Sequence, residues 1–245
     1  MLSRKKIYCP DNLLKIAKSK SVVNAAIVNA GKLVVMEAVK QAVDVGLIKP
    51  IFIGDKSIIE KHAKDLKWNI SDYEIINEKD ENSTAPIAAK MASEGKIKII
   101  VKGHIHTDIL MKSVLKRDLN LIGKKRLSHV WHMTLEKNDK PFIITDGALN
   151  VLPKLETKMH ILKNSVDFAK RIGINKPKVS ILSATEEVLE SVPSSIDAKE
   201  LTKRAKNEGI NADVFGPMAF DNSVSQNAAQ IKGITNIVAG KTDIL

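Results

Sequence analysis

Four short stretches hold the residue types from which a site for an anion or a thioester can be built. Lys102-Gly103-His104-Ile105-His106-Thr107 follows an apolar run; its glycine permits close backbone approach, and Thr107 can cap the helical pattern that starts there. Ser128-His129 opens a second apolar segment, and Asp146-Gly147-Ala148-Leu149-Asn150 stands directly after a third. The fourth, residues 214–233 (VFGPMAFDNSVSQNAAQIKG), passes from an apolar run through Gly216-Pro217 to Asp221 and Asn222 and then into a small-residue helix. Either Asp221 or Asn222 has a short side-chain oxygen able to cap that helix. The free amides of its first turn, with the positive end of the dipole, suit phosphate or carboxylate. Each stretch also has a plainer reading: a capped turn at 214–233, an Asx-turn at Asp146, and one more solvated lysine at Lys112.

Metal and nucleotide chemistry find less support. His104 and His106 share a face if they lie on a strand, but no acidic or cysteine partner is near them in sequence. His129 and His132 are three apart and fall on opposite faces of a strand. No glycine-rich loop ends in Lys-Ser/Thr, and no G-x-G-x-x-G follows a strand, which weakens kinase, NTPase and nicotinamide readings. Cys9 lies ahead of the first strand, unlike a nucleophile at a strand-to-helix turn.

The elements that must position these stretches alternate in period. Strands are expected at 22–28, 50–54, 73–77 and 97–101, separated by helices at 32–45, 56–66 and 83–94, with another helix from Thr107 to about Leu119. Helices of this length between strands are crossovers and imply a mostly parallel sheet covered on both faces. A basic loop at 121–125 precedes two strands at 127–135 and 141–145, joined by a charged turn at 136–140; this antiparallel pair interrupts the rhythm. The rhythm resumes with helices at 155–172 and 198–207 and strands at 179–182, 212–215 and 237–239. The expected organisation is a first α/β lobe over 1–147 and a second over 148–245. In parallel sheets, ligands bind beyond the carboxyl ends of the strands, which makes the loops next to strand ends the places to search.

Composition sets the remaining bounds. The chain has 245 residues, 44% hydrophobic and 4% aromatic, so its core rests on aliphatic side chains. No apolar run approaches a membrane span, the N-terminus shows no apolar signal-peptide core, and a single cysteine excludes an internal disulfide. Cytoplasm is the expected location. The net charge of +11 comes from 39 basic residues of which only five are arginine, spread along the chain without interleaved aromatics. A generic solvated lysine face explains this better than nucleic-acid binding, and it would help steer a polyanionic small substrate.

Taken in register, KGHIHTDILMKSVL (102–115), RLSHVWHM (126–133), TDGALNVLPKLETK (145–158), KPKVSILSATEEV (176–188) and FGPMAFDNSVSQNAAQIKGITNIVAGKTDIL (215–245) resemble the phosphate acetyl/butyryltransferase family, its butyryltransferase-like branch more closely. The likeness covers nearly the whole chain. It implies a two-lobe α/β/α sandwich of the isocitrate/isopropylmalate dehydrogenase-like architecture, with its site in the cleft between lobes. The implied reaction moves an acetyl or butyryl group between coenzyme A and phosphate. Homodimers are usual, and neither metal nor bound organic cofactor is required. On this resemblance, Lys102, Gly103, Thr107, Lys112, Ser128, His129, Asp146, Asn150, Gly216, Pro217, Asp221 and Asn222 match substrate-binding or cleft-shaping positions. Lys112 stands where the family usually carries arginine, keeping the charge without the bidentate fork. Family sequences continue past the position of Leu245 through a segment reading like VPDIEAGN to a Ser-Arg motif and a nearby Asp. Those positions supply the phosphate-binding arginine and the proposed base, so the resemblance places the catalytic residues outside this sequence. It leaves Asp243-Ile244-Leu245 just after a last strand with no closing helix, and, because the family's last segment returns to complete the first lobe, it implies an exposed sheet edge or apolar face. The rival expectations are a truncated, non-catalytic member that binds coenzyme A without turnover, a different enzyme class such as a dehydrogenase on the same fold, and a nucleic-acid module.

Overall fold

The computed structural model describes residues 9–123, 125–134, 140–147 and 149–245. The chain divides into two units, one spanning Leu14–Lys124 and the other built on Lys125–Leu245. A short amphipathic helix, α1 (Asp11–Lys18), which sequence periodicity did not reveal, buries none of its residues.

In the N-terminal unit, β1 (Val23–Val28), β2 (Ile48–Gly54), β3 (Ile75–Asn77) and β4 (Ile99–Lys102) form one parallel sheet in the order β3-β2-β1-β4. The connections are α2 (Leu33–Asp44), α3 (Lys56–Asp65) and α4 (Glu81–Ser93), and α5 (Thr107–Val114) follows β4. The sequence dictates burial on both faces: Ala25 to Val28 are all fully buried in succession, which only a doubly covered strand allows. Ala25, Ile27 and Phe52 pack on Met36, Val39, Ile59 and Ala63. Their neighbours of opposite parity, Ala26, Val28, Ile51 and Ile53, pack on Ala85, Ala88, Met91 and Leu110. Asp55 caps α3 by accepting from Ser57 N, and Asp80 caps α4 by accepting from Asn82 N.

In the C-terminal unit, β5 (Val130–Met133) and β6 (Phe142–Thr145) pair antiparallel, as expected, and β7 (Lys178–Leu182) and β8 (Asp213–Met218) pair parallel. The turn expected at 136–140 lies, apart from Lys140, outside the described residues, as do residues 124 and 148 of two expected loops. Helices α6 (Leu155–Arg171) and α7 (Pro193–Asn207) pack Met159, Leu162, Val166, Leu201 and Ala205 on Ile143, Val179 and Ile244. Two short helices, α8 (Phe220–Val224) and α9 (Gln226–Ile231), follow β8.

Three expectations are corrected here. Residues 237–239 are a turn, not a strand; Asn236 Oδ1 accepts from Val238 N and Ala239 N, both at 3.0 Å, and so holds the backbone out of extended form. Asp243-Ile244-Leu245 does not trail loose but is bonded between β6 and β7. Ile244 bridges in parallel to both Ile143 and Val179, and Leu245 N donates to Ile143 O at 2.7 Å. Ile244 and Leu245 are 0% and 6% exposed, so the tripeptide is packed into the unit. This tripeptide joins the β5–β6 ribbon to β7–β8, so the antiparallel pair belongs with residues that follow it. The division therefore falls at 124/125 rather than at 147.

Candidate functional site

In the N-terminal unit, the carboxyl end of β4 turns on Gly103. Its N–H donates to Val28 O at 2.8 Å, and His104 N donates to Asn29 O at 3.0 Å. A Cβ at Gly103 would stand 2.3 Å from Val28 O and 2.4 Å from Asn29 O, so only glycine fits against the end of β1. Asn29, itself at φ 50°, closes the contact by donating its side-chain amide to His104 O. The next turn is tied back by Glu81, whose carboxylate accepts from His106 N at 2.9 Å. The result is a cavity of about 290 Å³ lined by Glu81, Lys102, His104, Ile105, His106 and Thr107. Thr107 is the first residue of α5 rather than its cap; His106 occupies the cap position with no side-chain bond. Lys112, one turn further on, is 78% exposed, pairs with Asp108 at 3.2 Å, and does not line this cavity.

In the C-terminal unit, Asp146 ties two loops together. It accepts from His129 N through one oxygen, and from Asn150 N at 2.8 Å and Asn150 Nδ2 at 2.7 Å through the other. Asn150 also donates to Leu127 O at 3.0 Å, and Thr145 Oγ1 donates to His129 O at 2.6 Å. Ser128 Oγ accepts from Asn164 Nδ2 at 2.9 Å, and the His129 ring lies 4.8 Å from that of Trp131. Asp146 and Asn150 stand at the rim of a 270 Å³ cavity with an apolar floor that includes Ile161, Val179 and Ile244.

The second cluster of this unit follows β8. Gly216 and Pro217 are buried, and a Cβ on Gly216 would meet the Ile181 side chain at 2.7 Å. Neither Asp221 nor Asn222 caps a helix. Ala219 holds the cap position of α8, and Ser225 caps α9 by accepting from Ala228 N at 3.2 Å. Asp221 is exposed and lies 3.4 Å from Lys232. Asn222 is fully buried, donates its amide to Glu186 Oε1, and leaves its own Oδ1 without a partner. Glu186 Oε1 also accepts from Ala219 N at 3.2 Å. Burial works to raise the Glu186 pKa, but the bonds from Asn222 and Ala219, with the charge of Lys232, outweigh it and hold the carboxyl below its ordinary value.

The expected residues thus gather in sets within each unit. Lys102 and Thr107 share a cavity that Gly103 makes possible, while Lys112 stands apart on the helix surface. His129, Asp146 and Asn150 form one knot with Ser128 beside it, and Gly216, Pro217 and Asn222 converge with Glu186. Asn29, Glu81, Asn164 and Glu186 were not anticipated. Each acts across 25 to 75 residues of sequence, a separation that leaves no local pattern to read. Among the described residues, no three His, Cys, Asp or Glu side chains come together as metal ligands, and no helix is long and apolar enough to cross a membrane.

Comparison with known proteins bears on the family and the fold. The family model described as phosphate acetyl/butaryl transferase matches residues 82–245. A phosphate acetyltransferase of Rickettsia felis is 38% identical over 237 residues, covering 96% of this chain and 68% of that protein. A phosphate butyryltransferase of Clostridium acetobutylicum is 36% identical over 235 residues, covering 96% and 78%. The crystal structure of a branched-chain phosphotransacylase from Enterococcus faecalis superposes with a TM-score of 0.78 at 30% identity, over 91% of this chain and 78% of that one. The chain belongs to the phosphate acetyl/butyryltransferase family.

Proposed function

We propose that this protein moves a short acyl group between coenzyme A and inorganic phosphate: acyl-CoA + phosphate ⇌ acyl phosphate + CoA. The observation that carries the reading is the family match over 82–245, a span that holds all four strand-end stretches. In the direction of thioester synthesis, the thiol of coenzyme A loses its proton and its sulfur attacks the acyl carbonyl. The tetrahedral oxyanion then collapses, breaking the bond to phosphate. A thiol with a pKa of about 8.5 is mostly protonated at neutral pH, so a base or a positive field must favour the thiolate. The developing oxyanion and the departing phosphate both call for amide or cationic donors already in place.

Within the N-terminal unit we assign Lys102, Gly103, Thr107 and Lys112 to the anionic part of the substrate. The supporting features are the exposed ammonium groups, the close-packed glycine turn and the free amides at the start of α5. Within the C-terminal unit we assign Ser128, His129, Asp146, Asn150, Gly216, Pro217, Asp221 and Asn222 to substrate binding, most of them by shaping backbone. The net charge of +11 favours encounter with polyanionic coenzyme A. The reaction as written needs no metal and no bound organic cofactor, and we take the protein to work as a cytoplasmic homodimer. Purified protein given acetyl or butyryl phosphate with coenzyme A should form thioester, and light scattering should report twice the chain mass. A folded protein that binds coenzyme A yet forms no thioester with either substrate would put the non-catalytic alternative in its place.

A further inference from the structure

Glu186 is the one acidic side chain in the second cluster to which no role has been given, and its geometry is unusual. It lies in the loop after β7 and reaches the start of α8 after β8. Since β7 and β8 are parallel, it clasps two loops at the same, carboxyl, end of the sheet. Both bonds of the clasp end on one oxygen, Oε1. Apart from the N–H of Glu186 itself, Oε2 has no protein partner among the described residues, and the residue is partly exposed. A carboxylate held in place by one oxygen with the other open is a preorganised acceptor for a donor that arrives from outside.

We infer that Glu186 is a binding residue for the acyl carrier: Oε2 accepts a hydrogen bond from an amide N–H or the thiol of coenzyme A, while Oε1 keeps the Ala219–Asn222 turn in register. The inference rests on the acyl-transfer reading and adds a substrate contact to it. Charge selects the ligand. An ionised carboxylate repels phosphate and attracts N–H or S–H donors, and of the two substrates only coenzyme A carries them. The same ionisation argues against a role as base. A carboxyl held below its ordinary value of 4.5 is a weak acceptor for a thiol proton with a pKa of about 8.5. Lys232, whose charge acts on Glu186, is itself paired with Asp221 at 3.4 Å.

Two substitutions separate the two oxygens. Glu186→Gln keeps an acceptor for Ala219 and Asn222 but presents an amide nitrogen where Oε2 was; Glu186→Ala removes both. Glu186→Gln should weaken coenzyme A about tenfold, by calorimetric Kd and by KM, because a hydrogen bond to a charged acceptor is lost. The KM for acetyl phosphate should stay within about twofold, with only a small fall in melting temperature. Glu186→Ala should weaken coenzyme A at least as much and lower the melting temperature further. Equal affinity of wild type and Glu186→Gln for coenzyme A would overturn the proposal, as would parallel weakening of coenzyme A and acetyl phosphate. Those outcomes, in a wild-type protein that forms thioester, leave the acyl-transfer reading standing. A wild-type protein that neither binds coenzyme A nor forms thioester removes both.

Discussion

At the end of β4 the polar atoms facing solvent are the side chains of Lys102, His104, His106 and Thr107, while the turn itself is held by backbone contacts at Gly103 and by Glu81 from below. At the ends of β6 and β8 the situation is reversed. Asp146, Asn150, Ser128 and Asn222 are partly or wholly buried and already bonded to other loops. The first region has its ligand-capable groups free and its geometry fixed by main chain; the second has spent most of its polar side chains on holding shape. Substitution of exposed groups in the first should therefore alter binding with little change in stability. Substitution in the second should alter both together.

The sharpest test of that contrast is Gly103→Ala, since here even the first region is structural. The added Cβ meets two backbone oxygens that cannot move without pulling β1 apart. A loss of roughly 3 kcal/mol is expected, at the upper end of the range for overpacking, read as a lower denaturant midpoint with unchanged slope. Full stability in that variant would mean the β4 turn is not built on close approach. Next in size is Asp146→Ala, which orphans three donors. A loss of about 2 kcal/mol with a fall in kcat/KM should accompany it, and Asp146→Asn, which keeps an acceptor, should lose less. An Asp146→Ala protein that kept its stability but lost activity would move Asp146 from shaping the site to contacting substrate.

Much of the first region was legible in sequence because its determinants are local. Short continuous apolar runs between helical patterns mark the strands, and a glycine between an apolar run and a helical pattern marks the turn. The second region resisted because its determinants are distant. Asp243-Ile244-Leu245 is three residues long, too short for any periodicity, and is bridged into the sheet only because Ile143 and Val179 lie on either side of Ile244. Ile237, Val238 and Ala239 have strand-like composition, but the Asn236 side chain captures two of their amides. Asp221 and Asn222 have capping chemistry, yet α8 starts two and three residues too early for them to use it, and Asn222 turns inward to a glutamate 36 residues away. The pair Glu186-Glu187 looks in sequence like ordinary solvated charge.

The Glu186 clasp carries a pH signature. Its pKa is depressed in the folded protein, so its contribution to stability is full above the ordinary value of 4.5 and is lost as pH falls through the lower folded value. Acid titration of stability should therefore show a steeper fall for wild type than for Glu186→Gln below that point, with the two curves converging at the lowest pH. Parallel curves would mean that the clasp does not depend on the carboxylate charge.

The smallest structural effect is expected at Lys112, and there the contrast is cleanest. The side chain is 78% exposed and its only recorded ion pair, among the described residues, is with Asp108 one helical turn before it. An exposed pair of this kind is screened by solvent and salt and adds little to stability. Lys112→Ala should accordingly leave the melting temperature where it was while raising the KM for phosphate or acyl phosphate, the more so at low ionic strength. Lys112→Arg should do the opposite: same charge and same stability, but a planar fork able to hold two phosphate oxygens at once, hence a lower KM. If neither substitution moves KM, Lys112 is a solvated surface lysine, and the ligand-binding part of the N-terminal unit contracts to the cavity lined by Lys102, His104 and Thr107.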